Sequence, residues 1–209
     1  MAVATPINKV LRNTYIMLSL MLGVSAVTAA YAVSSGAGLV NIWLLLGFMI
    51  GMPFAIHAFR NSPVGLGLSF VYAGLFGYFL GPIVGIYASI DPKIPLYAFV
   101  ATATIFGALS VYAMTTKRDM SFMGGFLMVG SIVLLLAIVA NIFLQMPMFS
   151  IVISAAVVLL TAGYILYSTQ AAARGGETNY ITLATSLFGN IWVLFLHLMN
   201  LMNFASGND

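Results

Sequence analysis

The sequence predicts an all-α fold, an integral membrane bundle of seven helices, and three observations carry that reading. First, seven apolar runs (15–33, 42–59, 64–86, 96–114, 122–144, 149–167 and 180–204) each hold at least 18 residues and are nearly free of charge. A hydrocarbon core about 30 Å thick is crossed by about 20 apolar residues in helical form, and a helix satisfies its own backbone polar groups in lipid. Second, six of the seven Lys and Arg residues fall in alternate gaps between the runs. Third, hydrophobic residues make up 62% of the 209 residues and charged residues 5%, where a soluble domain carries about 25% charged residues. Seven spans in a chain of this length leave no room for a soluble domain.

Orientation follows from the cations. Lys9 and Arg12 precede the first run, Arg60 lies between the second and third, Lys117 and Arg118 between the fourth and fifth, and Arg174 between the sixth and seventh. The opposite gaps hold only Lys93, beside Asp91. Cationic loops stay on the cytoplasmic side, so the N-terminus is expected inside and the C-terminus outside. Residues 1–14 then read as a short cytoplasmic tail, 15–204 as the membrane domain and 205–209 as a periplasmic tail.

Taken in order, the first run follows Lys9 and Arg12 and contains the small residues Ala30 and Ala32, much as a signal peptide would. It is long for that role and six more runs follow, so a retained first helix is expected. Ser34, Ser35, Gly36, Ala37 and Gly38 supply the first turn, and Asn61-Ser62-Pro63 the second. In the third run Gly74, Gly77, Gly81 and Gly85 step by three or four residues and make one smooth face for close helix packing. Gly81-Pro82 is expected to kink or break that helix. Asp91-Pro92 precedes the fourth run, Asp119 sits near the start of the fifth, where negative charge is favoured, and Pro147 opens the sixth. Short connections imply antiparallel neighbours.

The seventh run carries Thr182, Ser186, Asn190, His197 and Asn200 on one side of a helix, and the sixth carries Ser150, Ser154, Thr161 and Ser168. Polar side chains at membrane depth face the bundle interior or a watery cavity, so runs six and seven are expected to face inward. Two readings stand: a polar conduit through Ser168, Asn190, His197, Ser186 and Thr161, or hydrogen bonding between helices. His197 is the one ionisable side chain well inside a run; an imidazole there is either a proton-sensing group or a neutral packing residue.

Several function classes are disfavoured. No Asp or Glu lies within a run, so a carboxylate proton relay is missing. The chain has no Cys, no His-Glu-x-x-His and no paired aspartates, and Ser186 stands eleven residues from His197, too far for a nucleophile and its base on one helix. Neither an enzyme, nor a metal site, nor a cofactor is expected. The net charge of +3 belongs to the loops and points to membrane lipid rather than nucleic acid.

Five segments, 8–15, 77–83, 116–125, 140–145 and 175–181, carry a family likeness. Among them are Gly77-Tyr78-Phe79-Leu80-Gly81-Pro82, Lys117-Arg118-Asp119-Met120-Ser121 and Gly175-Gly176-Glu177-Thr178-Asn179-Tyr180. From Asn8 to near the C-terminus the chain resembles the bacterial Bax-inhibitor (TMBIM) family, and around Gln145 and Glu177 its YccA branch. The resemblance implies a seven-helix bundle with the seventh helix central. It also implies a regulator that binds and modulates the FtsH-type AAA+ membrane protease and is linked to its HflK–HflC partners. The expected contact edge is cytoplasmic: Lys9, Arg12, Arg60, Lys117, Arg118, Asp119, Arg174 and Glu177. With only 13 residues before Thr14, the tail is short for a pulling protease to grip, so slow degradation and an inhibitor-like role are expected. Other family members are pH-sensitive calcium leak channels with paired aspartates in runs six and seven. Here those positions read Tyr167-Ser168 and Leu187-Phe188-Gly189-Asn190. Ser and Asn hold no negative charge, so a leak channel would need a different gate.

Overall fold

The computed structural model describes residues 6–207. Among them the chain forms seven helices: α1 (Pro6–Ser34), α2 (Ile42–Ala58), α3 (Pro63–Ile90), α4 (Lys93–Thr115), α5 (Met123–Leu144), α6 (Pro147–Ala173) and α7 (Tyr180–Ala205). Each predicted run falls on one helix, with Phe59 and Phe122 just outside the ends of α2 and α5. Six helices are long and apolar enough to cross a bilayer. The seventh, α2, has 17 residues with Pro53 inside it, about 25 Å at 1.5 Å per residue and at the short end of a spanning helix.

Two boundaries differ from expectation. Helix α1 starts at Pro6, so the part of the expected tail from there to Thr14 is helical; residues 1–5 and 208–209 of the expected tails lie outside the described residues. Helix α3 runs unbroken through Pro82 to Ile90. Proline removes one backbone donor, and the flanking turns hold the rest of the helix.

The chain divides into two compact units. Of the described residues, one holds 6–86 together with 172–189, and the other holds 87–171 together with 190–207. Helix α7 gives its first ten residues, 180–189, to the former and the rest to the latter. It is the most buried of the six long spans, with 56% of its most apolar window covered, against 6% for α5.

In the first unit α3 packs on α1 through the glycine face. A Cβ at Gly77 would run into the Ser25 carbonyl oxygen and the Thr28 hydroxyl, and one at Gly81 would stand 2.6 Å from the Ala29 carbonyl oxygen. On another side of α3, Tyr72 and Phe76 meet Phe48 of α2 and Phe188 of α7, with ring centroids 5.2–6.3 Å apart and mostly tilted or edge-to-face. Tyr72, Phe76 and Phe188 are almost wholly buried. Between helices in lipid, close van der Waals packing of this kind replaces the hydrophobic drive of a soluble core.

In the second unit α5 and α6 meet through small-to-large contacts. Leu160 fills the space over Gly130, Leu127 the space over Gly163, and the Tyr167 hydroxyl stands over Gly124. The Ser131 hydroxyl donates to the Tyr164 hydroxyl at 3.0 Å.

Candidate functional site

Where α5 ends and α6 begins, the second unit contains a pocket of about 190 Å³. Its polar lining is Asn141 from α5, Ser150 and Ser154 from α6, and His197 and Asn200 from α7; Ile138, Ile142 and Ile153 complete it. Helical spacing explains the set. Ser150 and Ser154 are one turn apart on α6, and His197 and Asn200 nearly one turn apart on α7. The Asn200 amide nitrogen donates to Ser154 Oγ at 2.8 Å and to Ser150 Oγ at 3.2 Å. His197 Nδ1 lies 3.0 Å from Ser154 Oγ. Asn141 Oδ1 accepts from the Met146 backbone N–H at 3.3 Å and holds the α5–α6 turn, where Gln145 adopts a left-handed conformation with φ of 50°.

Two further amides organise the charged loops. Gln170, 3% exposed near the end of α6, accepts from the Met120 N–H at 2.8 Å and donates to the Arg118 carbonyl at 2.9 Å. It thereby fixes the α4–α5 loop that carries Lys117, Arg118 and Asp119. In the first unit, Asn179 caps α7: its Oδ1 accepts from the N–H groups of Ile181 and Thr182 at 3.0 and 3.1 Å. Its amide nitrogen donates to the Arg60 carbonyl and to Asn61 Oδ1, both at 3.0 Å, and so fixes the α2–α3 turn. Glu177 accepts from the Asn179 N–H at 2.7 Å. The Arg60 guanidinium lies 3.0 Å from His57 Nε2. Lys9, Arg12, Lys117, Arg118, Asp119 and Arg174 are exposed, while Arg60 and Glu177 are half-buried.

The residues expected to line a conduit are placed as follows. His197 joins the cluster just described, with Asn200, Ser150 and Ser154. Thr161 is buried, while Ser168 and Asn190 are half-buried and take no part in that cluster. Ser186 departs from the inward-facing expectation, because it is exposed. Its neighbour Thr185 is buried instead and shares a hydrogen bond of 3.3 Å with Ser69. Sequence reasoning missed Thr185, Asn141, Gln170 and Asn179. Asn179 carried a usable signal, since an asparagine just before an apolar helical run is a common N-cap. Gln170 carried a weaker one: an amide within a span must find partners.

Residues 7–207 match the family model described as inhibitor of apoptosis-promoting Bax1. The chain belongs to the Bax-inhibitor family. It is 41% identical over 200 residues to a protein of Escherichia coli K12 named modulator of FtsH protease YccA, covering 95% of this chain and 91% of that one. The same identity and coverage hold for a protein of a second Escherichia coli strain, named inner membrane protein YccA. An uncharacterised protein of Pseudomonas aeruginosa is 38% identical over 205 residues, covering 97% and 92%. The YccA-like character suggested by the 140–145 and 175–181 segments is thus a property of the whole chain. This Bax-inhibitor family member is a multi-pass protein of the inner membrane. One relative is named as a modulator of a protease, and the family model is described as an inhibitor.

Proposed function

We propose that this protein is a non-enzymatic regulator that binds and modulates an FtsH-type membrane protease, acting with that protease's HflK–HflC partners in membrane protein quality control. The observation that carries the reading is similarity along nearly the whole chain to a protein named as a modulator of that protease. The positive-inside rule assigns the loops bearing Arg60, Lys117–Asp119 and Arg174–Glu177 to the cytoplasm, with the N-terminus on the same side. Two of these segments are held by buried or capping amides, Gln170 and Asn179. A pre-ordered charged edge of this kind loses little conformational freedom on docking.

The test has two arms. Photo-crosslinkers placed at Arg118 and Arg174 should capture the protease when both are co-expressed, with the contact peptides read by mass spectrometry. Purified protein added to proteoliposomes containing the protease should change the rate at which a membrane substrate is degraded. If crosslinks avoid the protease and the rate stays constant at saturating protein, the proposal fails. The alternative that the family resemblance raised, a calcium leak with altered gating, has less support because Ser168 and Asn190 replace both acids. Calcium flux no higher than in empty vesicles is the expected result, and a flux abolished by Asn190→Leu would favour the channel.

A further inference from the structure

The pocket between α5, α6 and α7 has chemistry that the regulatory edge does not use. Its lining holds no Arg, Lys, Asp or Glu, and His197 is its one ionisable side chain. A phosphate calls for Arg or Lys, and a calcium ion for carboxylates among six to eight oxygens. Neither is offered, so a ligand must be uncharged where it enters. The hydrogen-bonding capacity left over is mixed. Asn200 spends both amide hydrogens on the two serines and keeps Oδ1 as an acceptor. Asn141 spends Oδ1 on Met146 and keeps both amide hydrogens. His197 engages Nδ1 and keeps Nε2. Such a set receives an ester carbonyl at Asn141 and a hydroxyl at Asn200 or His197.

Depth narrows the choice further. Helices α6 and α7, with 27 and 26 residues, are about 40 Å long against a hydrocarbon core of about 30 Å, so about 5 Å of each end stands in the interface. Ser150 lies three residues from the start of α6, and Asn200 five residues from the end of α7. At 1.5 Å per residue the polar rim therefore begins about 5–8 Å from the helix ends, and His197 lies about 12 Å in. The pocket thus opens at the boundary between interface and hydrocarbon, where lipid esters meet their first methylenes. Phe143, Leu144, Met146 and Met148 are exposed around the same turn, and the three isoleucines continue that apolar surface inward.

We propose that this pocket binds the glycerol end of a diacylglycerol-type neutral lipid. The Asn141 amide donates to an ester carbonyl and Asn200 Oδ1 accepts from the free glycerol hydroxyl, while the exposed apolar rim takes the acyl chains. A phospholipid carries phosphate on that third oxygen, which leaves its acylated glycerol no hydroxyl to donate, so the site selects neutral lipid.

The experiment uses the full chain in phosphatidylcholine nanodiscs containing a trace of diacylglycerol with a diazirine on its first acyl carbons. Labelled peptides are mapped by mass spectrometry. Label should concentrate on the peptides carrying Asn141, Ser150 and Asn200. Unlabelled dioleoylglycerol should compete, whereas phosphatidylethanolamine and phosphatidylglycerol, like the phosphatidylcholine host, should compete at least about fivefold more weakly, because their acylated glycerol has no free hydroxyl to donate. Asn200→Leu should cut labelling about fivefold, the worth of one net hydrogen bond. Ile142→Trp, which fills the pocket without touching its polar groups, should abolish the label while circular dichroism stays native. This second variant covers the case in which Asn200→Leu does not fold. Label spread evenly along α5, competition by phosphatidylglycerol alone with loss in salt, or labelling indifferent to Ile142→Trp would each overturn the assignment.

Discussion

Replacing Gly77 by Ala should destabilise the protein, whereas the same change at Gly74, one turn earlier on the same glycine face, should not. At Gly74 a new methyl would rest 3.7 Å from Val24 Cγ1 and 3.8 Å from Thr28 Cγ2, ordinary contact distances. Alanine also relieves the helix-interior penalty of glycine by about 0.5–1 kcal/mol, so Gly74→Ala should be neutral to slightly stabilising. At Gly77 the methyl meets the Ser25 carbonyl oxygen and the Thr28 hydroxyl, with the Ser25 carbonyl carbon only 2.8 Å away. These are backbone and short side-chain atoms that cannot swing clear, so α1 and α3 must part. Overpacking of this sort costs about 1–3 kcal/mol, and a gap of about 1 Å forfeits up to half the attraction of each neighbouring atom pair. After the helix-propensity gain, a net loss of about 1–2 kcal/mol is expected; that gain is common to both variants, so they should differ by the overpacking cost itself, about 1–3 kcal/mol. Unfolding in mixed micelles, followed by circular dichroism for wild type and both variants, measures the difference. If Gly77→Ala proves as stable as Gly74→Ala, the close approach of α1 to α3 is wrong.

Three further outcomes follow from the amides. Gln170→Leu strands the Met120 N–H and the Arg118 carbonyl; limited trypsin digestion should then cut after Lys117 and Arg118 markedly faster, and stability should fall by about 2–4 kcal/mol, two lost bonds at 1–2 kcal/mol each. Asn179→Ala should cost about 1–2 kcal/mol as a lost N-cap; Asn179→Asp should recover most of it, because it keeps the capping oxygen and loses only the donation to Arg60 and Asn61. Asn200→Leu removes two interhelical hydrogen bonds worth about 0.6–2 kcal/mol each, whereas Ser186→Ala, on an exposed side chain, should leave unfolding unchanged within about 0.5 kcal/mol.

The periodicity of charge and apolar runs made the seven helices legible, because the bilayer imposes length and orientation on each segment separately. The α3 glycine face was equally visible. Which of its members bears the contact was not, since Gly74 and Gly77 look alike until the position of α1 is known. The α7 polar stripe was read as one continuous inward face, and here the sequence misled. Within the first unit the buried side of α7 carries Thr185 and leaves Ser186 exposed, while in the second His197 and Asn200 do meet the serines of α6. The two loop clamps join residues 50 and 119 positions apart, a separation over which no local pattern carries information.

The contrast between α5 and α7 bears on how the chain enters its membrane. Helix α5 is the most apolar of the six long spans and has the least cover from its own protein, whereas α7 is among the least apolar and has the most. During synthesis α5 is able to partition from the translocon into lipid unaided. Helix α7 gains most of its favourable surroundings only from companions already waiting there. An arginine placed at the centre of α5, about 2.5–3.5 kcal/mol unfavourable for insertion, would act at the moment of biogenesis and lower the amount of protein made. A comparable lesion in α7 would be felt later, as a failure to assemble.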